Sequence, residues 1–258
     1  MLQSANVTLS LTTFLIICPL AFLGGFVDSI GGGGGLISLP AYLLAGIPTH
    51  LAIATNKLSA AMGTTISTLT FVKEKLINFR LAIPTILAAC IGSYIGSSLS
   101  LLASEALLRM LLIPVLLIAA FFVLNRKLFG RDYPDMQSFD RRTCSIAVLA
   151  ALGIGIYDGF YGPGTGTFLI IILNVFAHLN LRQSNAQTKA INLTTNYTSL
   201  YVFISGGQVI WLLGLTAGLF GIAGNYLGAR LALKSGEKIT RPIILIVLVL
   251  LLIKLLTI

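Results

Sequence analysis

The sequence predicts an all-helical, polytopic membrane protein made of about ten segments in a 5+5 inverted repeat. Three observations predict it. Hydrophobic residues supply 56% of the 258 residues and charged residues only 10%, where a soluble domain carries roughly a quarter charged; the mean hydropathy is +0.95. Apolar runs long enough to cross a bilayer recur between short polar breaks. The text also repeats: Ala54-Thr55-Asn56-Lys57 returns 132 positions later as Ala186-Gln187-Thr188-Lys189 (57 to 189), and Gly92-Ser93-Tyr94-Ile95-Gly96 returns at the same offset as Gly224-Asn225-Tyr226-Leu227-Gly228.

Apolar runs read against their breakers give segments near 8–30, 34–46, 49–72, 79–100 and 105–124, then 143–160, 165–178, 184–205, 209–230 and 239–257. The first segment lacks a preceding basic residue and a following A-x-A-like cleavage pattern, so it reads as a mature span. The second and seventh are short for a span, which needs about 20 residues. Both follow glycine clusters and read as half-helices or re-entrant arms, tolerated only beside protein or a cavity. The first repeat is assigned to 1–124, a cytoplasmic linker to 125–142 and the second repeat to 143–258.

Lys and Arg set the orientation. With the N-terminus outside, the inner loops hold Lys73, Lys75 and Arg80, the linker arginines, Arg182, and the group from Arg230 to Arg241, while the loops near 46–49, 101–105, 161–164 and 205–208 hold none. This obeys the positive-inside rule. Five segments per copy is odd, so the second copy enters upside down and matched loops exchange their charge. The basic loop at 73–80 answers to the bare one at 205–208, and the bare loop at 101–105 to the basic one at 231–241. The net charge of +9 therefore reports topology, not nucleic-acid binding. Cys18, Cys90 and Cys144 lack metal or disulfide spacing, and His50 and His178 lack metal-ligand partners, so no metal or cofactor is expected.

Lys57 and Lys189 are the candidate chemistry. A cation inside an apolar segment costs several kcal/mol unless it is paired or hydrated. Two readings stand: both lysines face a shared cavity and attract an anion, with Asn56, Thr188, Asn192 and Asn196 as uncharged donors, or each snorkels or pairs as structural glue. Lys189, Asn192 and Asn196 follow an i, i+3, i+7 pattern on one helix face. The acids Asp28 and Asp158 each precede a glycine cluster and read as counter-ions, proton acceptors or polar caps. The clusters Gly31–Gly35 and Gly162-Pro163-Gly164-Thr165-Gly166 match no nucleotide-binding spacing. Gly33, Gly34 and Gly164 either offer backbone N–H groups to an anion at a half-helix terminus or serve close packing. The G-x-x-x-G pairs read as close-packing faces; such small-residue faces also permit a homodimer.

The stretch Gly25-Phe26-Val27-Asp28-Ser29-Ile30-Gly31-Gly32-Gly33-Gly34-Gly35-Leu36, with Ala54-Thr55-Asn56-Lys57-Leu58, Tyr157-Asp158-Gly159-Phe160-Tyr161-Gly162-Pro163 and Lys189-Ala190-Ile191-Asn192, resembles the TauE/SafE family. That family is also described as sulfite and organosulfonate exporters, or as toluene sulfonate uptake permeases. The resemblance is nearest to a bacterial branch of inner-membrane permeases and covers nearly the whole chain. It implies a permease for small sulfur-bearing or carboxylate anions in the cytoplasmic membrane. Substrate and direction differ between members. The function expected is a secondary transporter working by alternating access, with a small anion and the lipid bilayer as partners and proton or ion coupling as its energy source. An anion channel or a structural membrane protein is the alternative. No His–acid pair or H-E-x-x-H pattern supports an enzyme.

Overall fold

In a hydrocarbon solvent every backbone N–H and C=O must find its partner within the protein, which selects helices. The computed structural model describes residues 9–124, 133–134 and 140–235. Among these it contains α1 (Leu11–Gly31), α2 (Gly35–Leu44), α3 (Thr49–Lys73), α4 (Phe79–Leu102), α5 (Glu105–Leu124), α6 (Arg141–Phe160), α7 (Thr165–Val175), α8 (Leu181–Ser205) and α9 (Trp211–Ser235). They occupy the first nine expected segments. The tenth, near 239–257, and most of the linker lie outside the described residues.

Polar side chains mark where helices begin. The hydroxyl of Ser10 accepts from Thr13 N at 3.2 Å, and the side chains of Asn78 and Asn180 accept from Arg80 N and Gln183 N at 3.0 and 2.8 Å. Each satisfies one of the donors that a first helical turn leaves open. Asp140 opens α6 in the same way, accepting from Thr143 N at 2.7 Å. That hydrogen bond holds the Asp140 carboxyl below its ordinary range.

Length and polarity separate eight of the nine described helices into three kinds. Among the described residues α1, α4, α6 and α9 are long and apolar enough to cross a membrane; the 24 residues of α4 span about 36 Å at 1.5 Å per residue. With 10 and 11 residues, α2 and α7 reach only about half the thickness of a ~30 Å hydrocarbon core. α3 and α8 have 25 residues each but carry polar groups inside. Thr55, Asn56, Lys57, Ser59, Thr64 and Ser67 of α3 are buried, as are Asn185, Gln187, Thr188, Lys189, Asn192 and Asn196 of α8.

Outside, the pattern inverts. Phe79, Ile83, Leu87, Ile91, Ile95 and Leu99 form an exposed stripe along α4, and Leu212, Leu215 and Leu219 do the same on α9. Apolar side chains spaced four apart fall on one helix face, and here that face points away from the protein. This is a multi-pass membrane protein.

Glycine sets how closely the long helices approach. α1 packs along α9 and α4 along α6. A Cβ at Gly92 or Gly96 would overlap the carbonyl oxygens of Leu152 and Ile156 on α6, and one at Gly224 or Gly228 would overlap those of Phe22 and Phe26 on α1. The G-x-x-x-G words are thus backbone-to-backbone contacts. Gly153, also on α6, faces open space.

These contacts predict opposite outcomes for glycines of similar helical context. Gly96→Leu and Gly228→Leu should each destabilise by about 1–3 kcal/mol or more through overpacking. Gly153→Ala should be neutral or stabilising by up to about 1 kcal/mol, since alanine is the better helix former. Thermal unfolding of the purified protein in detergent reads both. Equal melting temperatures for Gly96→Leu and the parent would contradict the contact.

Candidate functional site

Two breaks in the helical backbone build the site. α1 ends at Gly32, whose φ is 76° and whose N–H donates to Asp28 O at 2.8 Å. α6 ends before Gly162 and Gly164, with φ of 99° and 84°. These left-handed conformations favour glycine. The two breaks touch. A Cβ at Gly32 would collide with the backbone of Gly166, and one at Gly166 with that of Gly32. Thr167 closes the crossing, its N–H donating to Gly32 O at 3.2 Å and its hydroxyl to Gly31 O at 3.1 Å.

A helix that stops inside a membrane leaves carbonyl oxygens unsatisfied and a partial negative charge at its C-terminus. α8 answers both needs for α1. Asn185 Nδ2 donates to Ser29 O and Ile30 O at 3.1 and 3.2 Å. Lys189 Nζ donates to Asp28 O and, at 2.8 Å, to Asp28 Oδ2. The lysine thereby neutralises a carboxylate and a helix end together.

The second pair is less tightly held. Lys57 Nζ forms an ion pair with Asp158 Oδ2 at 2.8 Å, in which that oxygen lacks hydrogen-bond alignment. The same Nζ donates to Asn196 Oδ1 at 3.3 Å. The other carboxylate oxygen, Asp158 Oδ1, is 2.7 Å from the Thr165 hydroxyl, which is also 2.7 Å from Gly162 O. Each lysine therefore pairs with the acid from the other half of the chain. The acids bond to ammonium and hydroxyl groups, not to the N–H groups of a helix cap.

Between the breaks lies a cavity of about 650 Å³, counted to its open mouth, with Asp28, Asn56, Lys57, Asp158, Asn192 and Asn196 on its wall and the backbones of Gly34 and Gly164 beside them. Thr188, Lys189 and Gly33 are buried but are not among its lining residues. Lys189 is 0% exposed and sits behind Asp28. The expected pair of cavity-facing lysines is thus, in this structure, one facing lysine and one enclosed lysine.

Asn225, Tyr161, Thr165 and Ser38 also line the chamber and were not singled out from sequence. Asn225 had a signal: it sits in the repeated glycine word where Ser93 stands in the first copy. Ser29 donates to its backbone and side-chain oxygens at 2.9 and 2.8 Å, while Ser93 donates to Thr195 O at 2.8 Å. Three buried lining atoms, Asn56 Oδ1, Asn192 Oδ1 and Tyr161 OH, have no hydrogen-bond partner. Buried polar atoms are normally satisfied, and since these line the chamber, a ligand there would have groups to engage. Among the described residues no cluster of three His, Cys, Asp or Glu residues is arranged to hold a metal.

An internal chamber with a buried ammonium group, enclosed by apolar helices, defines a membrane protein with a polar interior site. Comparison with known proteins gives the family. The chain belongs to the family described as sulfite exporter TauE/SafE, which it matches over residues 17–255. It is 35% identical over 247 residues to probable membrane transporter protein ORF9 of a Sinorhizobium species, covering 95% of this chain and 92% of that protein. It is 36% identical over 230 residues to probable membrane transporter protein YfcA of Escherichia coli K12, covering 88% and 83%. A probable membrane transporter protein of Haemophilus influenzae is 32% identical over 232 residues, covering 90% and 89%. No solved structure matches.

The two ion pairs should differ in their structural weight. Lys189→Met strands the Asp28 carboxylate and uncaps α1, and should cost about 3–5 kcal/mol. Lys57→Met should cost less, because Asp158 keeps the Thr165 hydroxyl and Lys57, unlike Lys189, holds no helix-terminal carbonyl. Adding Asp28→Asn to Lys189→Met should restore part of the loss. Thermal melting of the four proteins measures this, and equal losses from the two lysine changes would contradict the asymmetry.

Proposed function

We propose that this protein is a secondary transporter that moves a small organic or sulfur-containing anion, such as sulfite or a sulfonate, across the cytoplasmic membrane by alternating access. The observation that carries the reading is the Lys57 ammonium group, 3% exposed, on the wall of an internal chamber with unpartnered carboxamide oxygens beside it. An ammonium group buried among apolar helices is costly to retain without use. The family's description as sulfite exporters supports the substrate class, and the relatives' names support transport.

The mechanism follows from an inverted 5+5 repeat, with the N-terminus outside and the central linker in the cytoplasm. Supporting it, the packing survives exchange of the halves: α1 on α9 matches α6 on α4, and α2 on α3 matches α7 on α8, while α3 packs on α8. Two halves related in this way rock about a fixed mid-membrane site. Lys57 and Lys189 are the anion partners, Asp28 and Asp158 their counter-ions, and Asn56, Thr188, Asn192, Asn196, Gly33, Gly34 and Gly164 the surrounding donors and backbone. Rocking exposes one lysine and encloses the other, so the enclosed Lys189 is the form that symmetry assigns to Lys57 in the opposite state.

Flux in proteoliposomes tests this against sulfite, thiosulfate, sulfoacetate, taurine, acetate and sulfate. Saturable, counter-transportable flux of one anion is expected, falling at least 100-fold in Lys57→Met at unchanged protein insertion. Unsaturable flux would mark a channel instead. Normal flux through Lys57→Met would refute the site.

A further inference from the structure

The two cross-chain ion pairs have the same chemistry and unequal surroundings, and the inequality lies on the side of Asp158. Lys189 is 0% exposed and holds two oxygens of Asp28, one of them the backbone carbonyl that ends α1. Removing Asp28 from that lysine would also disturb a helix terminus. Lys57 and Asp158 share one charge contact at 2.8 Å without hydrogen-bond alignment, and both line the chamber. The Asp158 carboxylate is anchored independently through the Thr165 hydroxyl at 2.7 Å. It can therefore leave the ammonium group without losing its own support.

We infer that Asp158 is a tethered competitor, holding on Lys57 the place that the anionic head of the transported molecule takes, so that anion binding and protonation of Asp158 are linked. This rests on the transport reading above and deepens it. The physical reason is charge. With Asp158 ionised, Lys57 is already neutralised, and an incoming anion would place a second negative charge against one ammonium group in a low-dielectric chamber. A proton on Asp158 removes the competitor. It converts the carboxylate into a neutral acid that the Thr165 oxygen accommodates and leaves Lys57 free for the anion. The proton and the anion then enter together, one for one, and the charge of the loaded site equals that of the empty one.

Among the described residues no other titratable group is positioned to take that role at Asp158. From α3 it faces Lys57. From its own helix, Tyr157 and Tyr161 stand on either side of it, the first donating to Pro163 O and the second lining the chamber. α7 has no titratable residue, and on α4 Arg80, Cys90 and Tyr94 are exposed. On α8, Arg182, Tyr197 and Tyr201 are partly or largely exposed and Lys189 is engaged by Asp28. On α1, Asp28 shares the chamber wall but is held by Lys189.

The test uses methanesulfonate, which stays ionised at every pH used, and the full-length protein in detergent and in proteoliposomes. Calorimetric titration between pH 5 and 8 should give a Kd that rises about tenfold per pH unit across the window where one proton is bound with the anion. A pH-sensitive dye in weakly buffered solution should record uptake of one proton per anion bound. Asp158→Asn should bind more tightly than the parent at pH 8 and with a Kd independent of pH, and Asp158→Glu should keep the pH dependence. Size-exclusion chromatography and thermal melting identify any variant that fails to fold, and the parent's proton uptake then decides alone. Binding or flux of methanesulfonate without proton uptake, or an unchanged pH slope in folded Asp158→Asn, overturns the inference while leaving the transport reading intact. Neither binding nor flux for methanesulfonate or any anion of the panel overturns both.

Discussion

The polar groups around the chamber are arranged about two ammonium groups that must not be left unpaired in a low-dielectric interior. Isolated, each would cost several kcal/mol. Paired with a carboxylate 2.8 Å away, each becomes a neutral unit. Because Lys57 reaches Asp158 and Lys189 reaches Asp28, the pairs can form only when both halves of the chain are present and docked. The same requirement fixes the helix breaks, since each acid lies in the last turn before a glycine that stops its helix. An acid near a helix C-terminus is unfavourable by itself; the lysine from the opposite half is what makes the location tenable.

The remaining architecture is a consequence of keeping those pairs buried. Two full-length polar helices, α3 and α8, cannot face lipid, so they occupy the interior and are covered by α1, α4, α6 and α9. The covering helices approach closely enough because their contact faces are glycine, down to carbonyl contact at Gly96 and Gly228. Serines and asparagines beside those glycines then reach across the narrow gaps, as Ser29 does to Asn225.

Much of this was legible in the sequence because membrane physics leaves local signatures. Runs of apolar residues gave the nine helices of the described residues to within about five residues of their bounds. The glycine words gave the contact faces, and Asp28, Asp158, Lys57 and Lys189 stood out as charges where charge is expensive. What the sequence did not carry was pairing. Lys189 and Asp28 are 161 residues apart, and nothing local says which acid meets which lysine. The inequality of the pairs was likewise hidden, because the repeated words around Lys57 and Lys189 are alike. It arises from tertiary detail: Lys189 finds a helix-terminal carbonyl, while Lys57 finds an open wall. Asn225 and Thr165 escaped notice for a related reason, since a single polar residue among glycines looks like a packing residue until the chamber is seen beside it.

The meeting of Gly32 and Gly166 has a mechanical meaning. Two backbones cross there with no side chain from either, in contact along their main-chain atoms and joined by the two hydrogen bonds of Thr167. Bare crossings of this kind have no interlocking knobs to resist twisting, yet they have no spare distance along which to slide. Relative movement of the two breaks is thereby confined to rotation about a near-fixed point, and any added methyl group would act as a wedge at the axle.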